Sequence, residues 1–101
     1  MTEEQIISWI FLVIALAANT EPSDINGISM VADGINHAVP TQKELQISIA
    51  WLTNKGLILK HGKSYELTNK GKLEYDAASK NSNKLLAIWK NLEIKFANDE
   101  K

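Results

Sequence analysis

Residues 41–75, TQKELQISIAWLTNKGLILKHGKSYELTNKGKLEY, decide how this chain is read. Thr41 with Glu44 three residues on forms a capping box just after Pro40, so a helix starts here with its first free amides satisfied. Leu45, Ile49 and Leu52 fall within one arc at helical spacing and predict the face turned to a core, with Gly56 as the stop. Beyond Gly56 the pattern shortens to Leu57-Ile58-Leu59-Lys60, then His61-Gly62-Lys63, then Ser64-Tyr65-Glu66-Leu67. Two short strands joined through a basic, glycine-containing turn are expected, and Thr68 then caps a further helix.

These residues carry a resemblance. L-T-N-K-G-L-I at 52–58, a short basic hairpin, and Y-E-L-T-N-K-G at 65–71 resemble the winged-helix domains of MarR- and PadR-type bacterial regulators. The resemblance covers roughly residues 20–78 and implies a fold that is mainly α with a small β-hairpin wing, a winged helix-turn-helix with extra N- and C-terminal helices. It also implies a DNA-binding transcriptional regulator, with the helix from Thr41 entering the major groove and the hairpin lying along the backbone or minor groove. The positions that match are Thr41, Gln42, Lys43, Gln46 and Ser48 on the helix and Lys60, His61, Lys63 and Ser64 on the wing. Gln and Ser can read base edges and lysines can neutralise phosphates; the alternative for the same residues is ordinary solvated surface.

Charge along the chain bears on that expectation more than its sum of −1. Residues 1–39 hold Glu3, Glu4, Glu21, Asp24 and Asp33 with no Lys or Arg, whereas 40–72 hold six lysines against Glu44 and Glu66. Every basic residue is lysine, so the arginine fork that most often contacts guanine is missing. A second class of function follows from this and from Ile47 and Trp51, which point away from the core arc of their helix. Either Trp51 packs on the chain's own N-terminal helix, or the pair meets a protein partner in a winged-helix interaction module without DNA binding.

The rest of the chain is read as support. A length of 101 residues with 45% hydrophobic content fits a single domain, divided as an apolar helix in 1–19, the winged-helix core in 20–78 and a terminal helix in 79–101. Residues 6–18, IISWIFLVIALAA, are apolar on every side except Ser8, yet thirteen helical residues span only about 20 Å. Glu3 and Glu4 stand where a secretory leader would be positive, so neither a leader nor a membrane span is expected. With no cysteine, the expected location is the cytoplasm.

In 20–39, Ser23-Asp24 starts a helix that carries Ile25, Ile28, Ala32 and Ile35, with Gly27 or Gly34 as candidates for a close helix crossing. Near the C-terminus, Leu85, Ile88, Trp89, Leu92 and Phe96 form a helical stripe with Ser82 as cap, while Leu86 and Ile94 lie off it. An all-round apolar helix and a two-faced terminal helix lead to an expected homodimer whose interface is Trp9, Phe11, Leu85, Trp89, Leu92 and Phe96. No catalytic constellation, phosphate loop or metal-ligand spacing is present; His37 and His61 are read as turn and hairpin residues, and no enzyme activity, metal or cofactor is expected.

Overall fold

Thr2 opens the first helix with a capping box: its hydroxyl accepts from the Gln5 amide at 3.1 Å, and the Gln5 side chain accepts from the Thr2 amide at 2.8 Å. In the computed structural model, which describes residues 1–99, α1 then runs over Glu3–Ala17. It is followed by β1 (Ser23–Asp24), α2 (Ile25–Asn36), α3 (Gln42–Asn54), β2 (Ile58–His61), β3 (Ser64–Leu67), α4 (Asn69–Ser79) and α5 (Leu85–Asp99). The chain is mainly helical with a small antiparallel sheet of strand order β1-β3-β2. Among the described residues no helix is long and apolar enough to cross a membrane.

Local chemistry sets the boundaries. Asp24 caps α2 by accepting from the Gly27 amide at 2.9 Å, and His37 ends that helix in the left-handed region at φ 53°. The strands β2 and β3 pair with His61 opposite Ser64 and Ile58 opposite Leu67, leaving Gly62 and Lys63 as a two-residue connection. Gly62 adopts φ 60° at the first of these positions, the preference of a type II′ hairpin turn. The sequence leads one to expect two strands; the third is β1, with Ser23 opposite Tyr65 and Asp24 opposite Ser64. Strand alternation then places Ile58 and Leu67, both buried, on the same sheet face as Lys60 and Tyr65.

The apolar helix α1 is the centre of the molecule. Every residue from 7 to 14 is at most 1% exposed within the single chain, and α1 is packed against α2, α3, α4, α5 and β3. This corrects the expected subunit interface. Trp9, Phe11, Leu92 and Phe96 are sealed in the chain's own core, because α5 folds back along α1 and supplies the cover that a second chain was expected to give. Phe11 meets Phe96 edge-to-face at 5.3 Å between centroids, and Trp9 stacks on Trp89 at 6.2 Å. Ser8, the one polar residue of the apolar run, is buried with purpose: its hydroxyl donates to the Glu4 carbonyl at 2.7 Å and accepts from Trp89 Nε1 at 3.0 Å. Leu85 remains 38% exposed, Trp89 is half-buried, and Leu86 and Ile94 face outward. The terminal helix begins at Leu85 rather than 79, and the last two residues of the expected 79–101 segment lie outside the described residues.

The close approach expected at Gly27 or Gly34 lies elsewhere. Gly34 has open space around it, and Gly27 is crowded only by the nearby Ser23 side chain. The tight contact is at Gly71, where a Cβ would overlap the Leu57 carbonyl oxygen and stand 3.3 Å from Leu67 Cβ. Thr68 builds this junction. Its hydroxyl donates to the Gly56 carbonyl at 2.6 Å and accepts from the Gly71 amide at 3.0 Å, and its own amide donates to the Leu57 carbonyl at 3.0 Å. The first turn of α4 is thereby fixed on the end of α3 and the start of β2. Gly71→Ala should destabilise the fold by roughly 2–3 kcal/mol through overpacking against backbone, despite the better helix propensity of alanine. Urea unfolding measures this, and an unchanged or raised midpoint would show that the junction can open to admit a methyl.

Candidate nucleic-acid interface

The residues expected to meet DNA divide into those the fold presents and those it uses internally. On α3 the capping box forms: Thr41 Oγ1 accepts from the Glu44 amide at 3.1 Å and Glu44 Oε1 from the Thr41 amide at 2.8 Å. The Thr41 hydroxyl oxygen is therefore a cap that aims the helix. Gln42, Lys43 and Gln46 are exposed. Ser48 is not: it is fully buried, and its Oγ has no hydrogen-bond partner among the described residues. A base-reading role for Ser48 is corrected accordingly, since its helical angle beside that of Leu52 turns it inward.

An unpartnered buried hydroxyl costs about 1–3 kcal/mol in desolvation. Ser48→Ala should thus raise stability, by roughly 1 kcal/mol, in a denaturant titration. A loss of that size instead would mean that the hydroxyl is bonded in solution.

On the hairpin, Lys60 and Lys63 are exposed, with Lys60 Nζ 5.9 Å from the Tyr65 ring centroid. His61 Nε2 contacts the Glu66 carboxylate across the two strands, so this pair is committed to the hairpin itself. Ser64 is half-buried in β3, between His61 on one side and Asp24 on the other.

Between α3 and the hairpin lies a cleft of about 580 Å³ lined by Ile25, Gln42, Leu45, Gln46, Ile49, Ala50 and Tyr65. A shallower depression continues from it, sharing Ile25 and Tyr65 and adding Asp24, Asn26, Lys60 and Lys63. Sequence reading missed Ile25, Ala50 and Tyr65 as site residues. The spacing held the signal for two of them: Ala50 stands four residues beyond Gln46, and Tyr65 alternates with Leu67 on one strand face.

Trp51 is covered by its own chain. Its ring is half-buried and packs on Phe96 of α5 at 5.1 Å, tilted by 50°, with Lys55 Nζ 5.3 Å from its centroid. The ring contact is with Phe96 of the terminal helix, and Trp51 packs against the chain's own core, of which α1 is the centre. Of the pair set aside for a protein partner, Ile47 alone stays substantially exposed, at 38%.

The chain matches no protein-family model, no curated protein and no solved structure.

Proposed function

We propose that this chain is a winged helix-turn-helix protein that binds duplex DNA and acts in the cytoplasm as a transcriptional regulator of the bacterial kind. The order helix, strand, helix, helix, strand, strand from α1 to β3, with β1 paired to β3, supports that fold, and α4 and α5 extend it. The observation that carries the functional reading is the placement of polar side chains around one cleft. Gln42 and Gln46 line it from α3, Lys43 is exposed at the start of the same helix, and Lys60 and Lys63 border the depression that continues from it. With α3 in the major groove, the glutamines face base edges and the lysines face phosphates. Dimers of such proteins read two half-sites; on α5 the apolar groups left for a second copy are Leu85, Leu86 and Ile94.

Fluorescence anisotropy with mixed-sequence duplex at about 50 mM salt tests the reading. Lys43, Lys60 and Lys63 give about three neutralised phosphates per chain, hence a slope of log K on log salt of about −2.7. Affinity should fall roughly 40-fold between 50 and 200 mM salt. Absence of binding up to about 10⁻⁴ M protein rejects the proposal. It would favour a winged-helix interaction module instead, for which the exposed Ile25 and Ile47 and the apolar cleft walls are the supporting surface.

A further inference from the structure

Gln42, Gln46 and Ala50 follow one another at four-residue spacing and are all exposed, so they form a row along α3. The same row is one wall of the 580 Å³ cleft, and Ile25, Ile49 and Tyr65 supply apolar surface beside it. The row thus offers two amides and then a methyl, and the cleft it lines has aliphatic and aromatic walls. Among the described residues that line this cleft none is charged; Lys60 and Lys63, together with Asp24, line the adjoining depression.

That pattern narrows what can occupy the cleft. An acidic peptide lying in it would find no cation there. A guanine-rich major groove would find neither arginine nor lysine for its O6 and N7 acceptors. The occupant must combine an edge that an amide can pair, an apolar knob close by, and negative charge a short distance away. A·T base pairs in the major groove have all three. Adenine presents N6–H₂ and N7, which glutamine pairs bidentately, and the thymine C5-methyl is the apolar group on the base edges. The dimensions agree as well: four helical residues rise about 6 Å, against about 7 Å for two base-pair steps.

We propose that Gln42, Gln46 and Ala50, together with the cleft beside them, select A·T pairs, the glutamines taking adenine and the Ala50–Ile49 end of the cleft taking thymine methyls. This rests on the DNA-binding reading above and adds to it the class of sequence and the group recognised.

The test uses the full chain and three labelled duplexes of equal length at about 50 mM salt: one A·T-rich, one of the same sequence with deoxyuridine in place of every thymidine, and one G·C-rich. Deoxyuridine keeps every phosphate and every pairing edge and removes only the methyl. Affinity should drop roughly fourfold for each thymine methyl covered, while the salt slope stays the same. The G·C-rich duplex should bind about tenfold more weakly or worse. Gln46→Ala should reduce the preference for A·T over G·C and leave the thymine–uracil gap in place. Ala50→Gly, with its fold checked by circular dichroism, should narrow that gap. Equal affinity for the thymine and uracil duplexes overturns the inference while DNA binding itself stands. No binding to any of the three overturns the DNA-binding reading and the inference with it.

Discussion

Phe96→Ala should cost about 3–5 kcal/mol of stability, a large share of the roughly 5–15 kcal/mol that a domain of this size commands. Phe96 is 1% exposed and touches aromatic rings on two other helices, Phe11 of α1 at 5.3 Å and Trp51 of α3 at 5.1 Å. Each aromatic pair adds about 0.5–1.5 kcal/mol beyond area burial, so truncation removes two pair terms and leaves a void between three helices. Those helices are also pinned elsewhere, α5 to α1 by the Trp89 indole on Gln5 and Ser8, which limits collapse of the cavity. Urea unfolding followed by tryptophan emission measures the loss, and Trp51, which Phe96 covers, should shift to the red even before unfolding. Phe96→Leu keeps most of the volume and should cost much less. A loss under about 1 kcal/mol for alanine would mean that α5 is not docked as described. Because these rings belong to one chain's core, the loss on Phe96→Ala should be the same at every protein concentration; a loss that grows on dilution would restore a subunit interface at these residues.

What could be read from sequence was local chemistry. The Thr41–Glu44 box, the glycine in the hairpin connection and the Thr68 cap each act within four residues, and each lies where the spacing predicts. The strand β1 could not be read this way. Ser23 and Asp24 carry the signal of a helix start, which Asp24 does serve, and their pairing with Tyr65 and Ser64 is a backbone event across some forty residues that no side chain announces. The all-round apolar α1 did say that it must be covered on every side; sequence could not say by which segment. Ser48 shows a different limit. Its helical angle falls beside Leu52, on the core arc, but its polar type drew it into the candidate base readers. Gly71 shows the reverse: the last residue of Y-E-L-T-N-K-G belongs to the quoted motif for a reason that only the Leu57 carbonyl makes visible.

Lys60→Glu combined with Lys63→Glu should abolish binding to every duplex at physiological salt, whatever its sequence. Both lysines are exposed at the hairpin end, and Lys60 reaches only over the half-buried Tyr65 ring, so the fold should survive the change. The pair accounts for about two of the three phosphates assigned to a chain, and reversing their sign also places two carboxylates against the backbone. The salt slope should fall from about −2.7 to about −0.9, the share left to Lys43, with affinity beyond the measurable range at physiological salt. Net charge needs its own control, because the double variant moves the whole protein from −1 towards −5. Lys80→Glu with Lys84→Glu makes the same change at exposed positions between α4 and α5, away from the cleft and the hairpin. If the lysines act as assigned, that control should retain most of the affinity and nearly the full slope, since screening leaves distant surface charges little influence beyond about 10 Å at 0.1 M salt. Equal loss in both double variants would instead assign binding to diffuse charge and remove the hairpin from the interface. Gln46→Ala separates the remaining element: as a proposed base reader that carries no charge, it should change which sequence is preferred while leaving the slope where it was.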